Sequence, residues 1–255
     1  ELSYGALRWQ LQYDAVIESF TKGKQLSQAI RGASQLGLHQ LFRMRVPVHA
    51  AINETVNLAK ALEPRAAGLV NAVLRNAERE GLENILEGLI QQKSQTEELE
   101  IKYSHPAWVI DSLRESLRID GREQELEQLL ASNNENPTTY LAASDEAASE
   151  ALVNQGLIAS PQSPIGFAVE GNPEPYLGLG NIRVQDLGSQ LVALAAAELG
   201  DMSGATLDMC SGPGGKSAIL QGRIRARGGA LDCMEPQEHR AELVREALGN
   251  DPIGR

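Results

Sequence analysis

Cysteine is almost missing from this sequence. The two that its 255 residues contain, Cys210 and Cys233, both lie in the last quarter, too few for a disulfide framework and in keeping with a reducing compartment. Long apolar runs are missing as well. None approaches a membrane span and no signal-peptide pattern opens the chain, so no membrane is expected and a cytoplasmic location is the default. His39 and His49 have neither the i, i+4 spacing nor the cysteine companions of a zinc site, and no metal is expected. Positive charge is short overall: 23 Lys and Arg against 34 Asp and Glu give a formal net charge of −11. Taken whole, that argues against a general nucleic-acid binder.

What is present is a globular composition, 42% hydrophobic and 22% charged, in a chain long enough for more than one domain. The charge is unevenly spread. Residues 1–80 hold ten Lys and Arg against seven Asp and Glu, and the remainder thirteen against twenty-seven. A modestly basic first third is compatible with phosphate contacts, although ordinary sign variation along a chain gives the same picture.

The stretch that organises the rest is Leu207-Asp208-Met209-Cys210-Ser211-Gly212-Pro213-Gly214-Gly215-Lys216-Ser217. An apolar run from Ala205 to Met209 enters a loop with three glycines and a proline, and the loop opens a helical pattern near Ser217. That reads as strand, tight turn, helix, in which freed backbone N–H groups face one crevice and can bind a polar or anionic group. Spacing separates the possible ligands. A phosphate-cradling loop, G-x-x-x-x-G-K-[ST], fits Gly215-Lys216-Ser217 but places Cys210 where its first glycine belongs. The dinucleotide fingerprint is met by Gly212 and Gly214 and fails at Ser217. A methyltransferase's nucleoside-binding loop remains. The next apolar run, Ala230 to Met234, ends in Glu235, at the distance where such folds place a carboxylate for ribose hydroxyls. Asp232 is the weaker choice because it lies inside the strand, and a bland alternative makes Glu235 a solvated acid beginning the next helix.

Apolar spacing predicts a helix over 2–20, a second from about 25 to 45, a third over 49–62, and a fourth from 65 to about 79 entered through Pro64 and ended at Gly81. Trp9 and Tyr13 read as core anchors. Helices with short connections and no strand pattern indicate an all-α bundle in the first ninety or so residues. Asn71 is expected to satisfy a buried backbone group or a neighbouring helix, with Glu54 and Arg75 as structural partners. RNA contact would fall to Arg43, Arg45, Arg65 and Arg79, read as exposed. Residues 91–104 read as a connection. A helix follows, with Ser104 or His105 near its cap and Pro106 in its first turn, then an acidic helix over 121–131, a strand at 138–142, a helix over 145–155 and short strands within 156–180.

Two resemblances organise these pieces. The loop Asp208 to Ser217, preceded by Val184-Gln185-Asp186-Leu187-Gly188-Ser189-Gln190, resembles the first motif and its leading Gln-Asp segment in bacterial ribosomal-RNA cytosine-C5 methyltransferases. Residues 38–54, ending in Asn53-Glu54, together with 66–75, holding Asn71-x-x-Leu74-Arg75, resemble NusB, an RNA-binding helical domain that these enzymes carry at their N-terminus. Tyr103-Ser104-His105-Pro106-Ala107-Trp108 is similar to the entry of their second domain. The resemblance implies three regions: a NusB-like bundle over 1–92, a small mixed α/β connecting domain over 93–180, and from 181 to 255 the start of a Rossmann-like methyltransferase domain. It implies that Cys210, Ser211, Gly212, Pro213, Gly214, Gly215, Lys216 and Glu235 bind S-adenosylmethionine, and that the partner is ribosomal RNA. A monomer is expected.

The family's chemistry needs a cysteine after a threonine and a second after a proline, and this sequence has neither pair. Cys210 lies in the cofactor loop and Cys233 inside a strand, so no catalytic residue is assigned. The arginine the family carries on the strand after its Asn-x-x-Pro turn is also absent from Thr138-Thr139-Tyr140-Leu141-Ala142-Ala143. Only two parallel strands are secure after Asn181, where a doubly wound domain needs about five. The chain therefore reads as the front portion of a longer enzyme, unable by itself to transfer a methyl group. The rival reading is a non-catalytic NusB-like RNA-binding module.

Overall fold

Apolar positions three and four apart become helices along the first half of the chain. The computed structural model describes residues 1–249. The helix expected over 2–20 is in fact two, α1 (Leu2–Arg8) and α2 (Gln10–Thr21), separated at Trp9, whose ψ of 18° departs from helical geometry. α3 (Gln28–Arg43) starts at Ser27, whose hydroxyl accepts from the Ile30 amide at 3.3 Å, and stops at Met44 in extended backbone ahead of Pro47. α4 is Val48–Leu62. Pro64 opens a short 3₁₀ turn that runs into α5 (Ala67–Glu80), and Gly81, at φ +80°, ends it as expected of a residue without a Cβ. α6 follows at Leu82–Ile90.

The connection expected over 91–104 is instead a helix, α7 (Gln95–Tyr103). Ser94 and Glu97 form a reciprocal capping box, which satisfies amide donors at the helix start, and Leu99 is buried on its inner face. An acidic, polar surface hid one buried stripe. Ser104, at φ +55°, then ends α7 rather than capping its successor; α8 (Ala107–Ile119) begins after Pro106. A 3₁₀ turn at Glu123–Glu125 leads into α9 (Leu126–Asn133), in place of one helix over 121–131. Two clusters hold these helices. One is centred on Tyr13, Ile17, Ile30, Leu38 and Leu74, and the other on Leu99, Ile110, Leu117 and Leu130.

Contacts divide the chain into two units, Glu1–Glu135 and a second beginning at Asn136. The second opens on β1 (Thr139–Ala143), α10 (Glu146–Asn154, capped by the Asp145 carboxylate), β2 (Gly166–Val169), α11 (Glu174–Leu177) and β3 (Ile182–Val184). The strands form an antiparallel sheet in the order β2-β1-β3, registered Tyr140 to Ala168 and Ala142 to Arg183. Leu141, Leu152 and Phe167 are fully buried against it. α12 (Leu187–Leu199), capped by Asp186, leads to β4 (Ala205–Asp208), α13 (Gly215–Ala226), β5 (Ala230–Cys233) and α14 (Glu238–Leu248). β4 and β5 pair in parallel, Thr206 with Leu231 and Asp208 with Cys233. Leu231 is buried beside Ala197, Leu220 and Ile224, whereas Leu207 is 52% exposed. Among the described residues this parallel sheet has two strands.

Candidate functional site

β4 ends at Asp208, and its carboxylate braces both sides of the turn that follows. One oxygen accepts from the Cys210 amide at 3.2 Å and the other from the Ser217 hydroxyl at 2.7 Å, so strand end and helix start are tied together. Ser211 bonds through its amide and its hydroxyl to the Met234 carbonyl, 3.1 and 3.0 Å away, which fastens the turn to the end of β5. Gly214 takes φ +97°, and its amide donates to the Ser211 carbonyl at 2.6 Å. A Cβ there would stand 2.4 Å from that of Ala247 and 3.0 Å from the Val244 Cα, so glycine is required both by conformation and by the approach of α14. The Gly212–Pro213 peptide is cis.

The turn leaves donors unused. The amides of Gly212, Gly215, Lys216 and Ser217 make no hydrogen bond to any described residue. They sit at the start of a twelve-residue helix, where unpaired N–H groups and the helix dipole favour an electronegative ligand. Beside them, Glu235 leaves the end of β5. α14 begins only at Glu238, so Glu235 is not a first-turn acid. Its side chain is 7% exposed and presses on the turn, for a Cβ at Gly212 would meet it at 2.0 Å. One oxygen accepts from the Gln237 amide at 3.0 Å and the other lies 3.6 Å from the Arg240 Nε. Arg240 also donates to the Gly212 carbonyl at 2.6 Å.

Asp208 and Arg240 are therefore the two residues that sequence reading left without a role. An acid nine positions before a serine was a visible signal for the first; nothing local marked the second. The chemistry of the donor set fits a nucleoside: free amides along the turn, and a carboxylate for vicinal hydroxyls. The half-open cavity lined by Ser211, Cys233, Glu235 and Val244 is about 150 Å³, less than the roughly 300–1,000 Å³ usual for a whole ligand of this size. Met209 and Met234, at the strand ends, are 69% and 54% exposed. Cys210 is exposed, and burial pushes the Cys233 thiol up from its ordinary pKa.

The arginines expected to face RNA separate into two groups. Arg45, Arg65 and Arg79 are exposed, the last donating to Asn76 at 2.8 Å. Arg43 is not exposed as expected. Its guanidinium lies 3.4 Å from the centre of the Trp9 ring and donates to Gln12 at 2.6 Å, because the bundle turns this face of α3 inward against α2. Asn71 meets one of its two expected partners, Arg75, but, among the described residues, no buried backbone group or neighbouring helix. It is half-buried and accepts from Arg75 of its own helix at 3.1 Å, while Glu54 is exposed and bonds to no described residue. Among the described residues no group of three or more His, Cys, Asp or Glu could hold a metal, and no helix is long and apolar enough to cross a membrane.

A helical bundle followed by an α/β unit with a glycine-rich turn at the end of its parallel strands defines the class. Residues 1–79 are a NusB-family domain. Over nearly its whole length, that domain included, the chain is similar to proteins named as methyltransferases. It is 32% identical to a putative methyltransferase of Mycobacterium tuberculosis (strain H37Rv), over 99% of this chain and 58% of that protein. It is likewise 32% identical to the ribosomal RNA small subunit methyltransferase B of Vibrio cholerae, over 97% of this chain and 57% of that one. With the protein of that name from Pseudomonas syringae it shares 33% identity over 97% of this chain and 55% of the other. The chain thus spans somewhat under three fifths of these relatives' length. In fold it is similar to the crystal structure of PH0851, with a TM-score of 0.69 at 17% identity, over 100% of this chain and 58% of that one.

Proposed function

We propose that this chain serves S-adenosylmethionine-dependent methylation of ribosomal RNA at C5 of cytosine in the small subunit, acting as a cytoplasmic monomer. The observation that carries this reading is the set of unpaired amides at Gly212, Gly215, Lys216 and Ser217 beside the Glu235 carboxylate. The amides would take electronegative groups of the donor, and Glu235 the ribose hydroxyls, once Arg240 releases it. Cys210, Ser211 and Pro213 shape the turn. The bound donor supplies an electrophilic methyl group. Asp208 holds the turn in register with the strand, and Arg45, Arg65 and Arg79 meet phosphates without first being stripped of water. The names of the relatives support ribosomal RNA as substrate.

That Cys210 belongs to the turn and Cys233 to β5 supports assigning neither of them the attack on a base. This chain by itself is expected to bind the donor without turnover. Calorimetric titration with S-adenosylmethionine tests the reading, with one-to-one binding expected. A flat titration alongside intact RNA affinity would instead support a non-catalytic RNA-binding module, a reading favoured by the small size of the cavity at the turn. Multiple methylations of ribosomal RNA by the isolated chain would refute the expected inactivity.

A further inference from the structure

α14 carries two arginines, and they are used differently. Arg245 pairs with Glu238 of the same helix at 2.9 Å, an ordinary surface contact. Arg240, in the first turn, reaches off the helix. A terminal nitrogen donates to the Gly212 carbonyl at 2.6 Å, and the Nε lies 3.6 Å from a Glu235 oxygen. The guanidinium thus bridges the glycine-rich turn and the acid at the end of β5, which are the two sides of the proposed nucleoside cradle. The three groups converge tightly: a Cβ on Gly212 would stand 2.0 Å from the Glu235 carboxylate and 3.0 Å from the Arg240 Nε.

Burial makes the bridge necessary. A carboxylate only 7% exposed needs partners; the Gln237 amide supplies a hydrogen bond, and Arg240 is the one positive charge within 4.0 Å among the described residues. The same bridge closes the site. One carboxylate oxygen is taken by the Gln237 amide and the other faces Arg240, so ribose hydroxyls and the guanidinium compete for one acceptor. The helix itself is pinned, since Val244 and Ala247 lie against Gly214 and the Arg183 guanidinium donates to the Ala247 carbonyl. The Arg240 side chain, 41% exposed, is the part that can move.

We propose that Arg240 is a latch on the nucleoside site: bridged to Glu235 and Gly212 it shuts out ribose hydroxyls, and swung into solvent it yields Glu235 to them. The proposal rests on S-adenosylmethionine as the ligand of this turn. Arg240 acts through Glu235, as a positioning residue that sets how often the cradle is open.

The test is surface plasmon resonance with S-adenosylmethionine over the immobilised full chain and its Arg240→Met variant, which keeps the length and apolar stem of the side chain and removes its donors. The variant is expected to bind about threefold to tenfold more tightly, through faster association at an unchanged dissociation rate. Arg240→Lys, which keeps the charge but cannot bridge both acceptors, should fall between, and carries the test alone if Arg240→Met does not fold by circular dichroism. Because the gain comes through ribose hydroxyls, adenosine should share it and 2′,3′-dideoxyadenosine should not. A bridge that only braces the turn predicts the opposite sign. Weaker or unchanged binding by a folded variant therefore overturns the latch and leaves the donor reading standing, as do equal gains for the two adenosines. If neither the chain nor its variants bind S-adenosylmethionine, the donor reading falls and takes the latch with it.

Discussion

Replacing Gly214 by alanine separates two costs that usually arrive together. The residue sits at φ +97°, where a side chain meets steric strain of about 1–2 kcal/mol. Its new Cβ would also lie 2.4 Å from the Ala247 Cβ and 3.0 Å from the Val244 Cα, well inside the roughly 3.5–4.0 Å at which carbon atoms rest. The second atom belongs to the backbone of α14 and cannot turn aside, so overpacking adds about 1–3 kcal/mol. The sum is about 2–5 kcal/mol. Gly228 provides the control. It has φ +77° with nothing within 4 Å of an added Cβ, so Gly228→Ala is expected to cost the strain alone, about 1–2 kcal/mol. Gly215→Ala, whose Cβ would only touch the Gln185 amide at 3.4 Å, should change stability by no more than about 1 kcal/mol. Both tryptophans, Trp9 and Trp108, lie in the first unit. Urea unfolding is therefore best followed by hydrogen exchange of α13 and α14 amides. If Gly214→Ala proves no more destabilising than Gly228→Ala, α14 does not press on the turn and the geometry of the site is wrong.

Glu235→Gln keeps the shape of the side chain but removes its charge. The lost pairing with half-exposed Arg240 should cost at most about 1 kcal/mol, while affinity for S-adenosylmethionine should fall about tenfold or more by calorimetry; unchanged affinity would remove Glu235 from the site. His39 is buried with Nδ1 3.0 Å from the Tyr13 hydroxyl, and burial, helped by the Arg43 charge, holds its pKa below the ordinary value. The unfolded chain then binds the proton first, so the helical unit should lose stability as pH falls below about 6.5, and His39→Gln should flatten that slope in thermal melts. A slope unaltered by the substitution would place the titration elsewhere. Burial also pushes Tyr13 up to about 12, so its contribution is present below the ordinary phenol value near 10 and is lost as pH rises through the folded one. Iodoacetamide at pH 8 should label exposed Cys210 well before Cys233, as read by peptide mass spectrometry; equal rates would contradict the burial that raises the Cys233 pKa.

Much of the fold was legible because it is local. Pro64 before α5, Gly81 after it and Asp145 before α10 act on their own neighbours, and each element begins or ends where they stand. α7 escaped for the opposite reason. Its one buried stripe is short and its surface acidic, so periodicity was faint, and only the pairing of Ser94 with Glu97 betrayed it. The glycine-rich turn was equally readable, since positive φ at Gly214 and free amides at a helix start follow from residue type and spacing alone.

What residue type and order determined by themselves is most of the elements, the ends marked by Pro64, Gly81 and Asp145, and the turn between β4 and α13 with Glu235 beyond it. Which polar groups are free was decided only when the elements packed. Arg43 and Arg79 read alike in the chain, yet one is locked between Trp9 and Gln12 and the other is open to water. Asn71 read as a buried bracket and is only half-buried, bonded to Arg75 of its own helix. Glu235 is held by Arg240, five residues along and across the turn. Local backbone preferences depend on a few adjacent residues, whereas exposure and pairing depend on which helix faces lie against each other, and no short stretch of sequence carries that information.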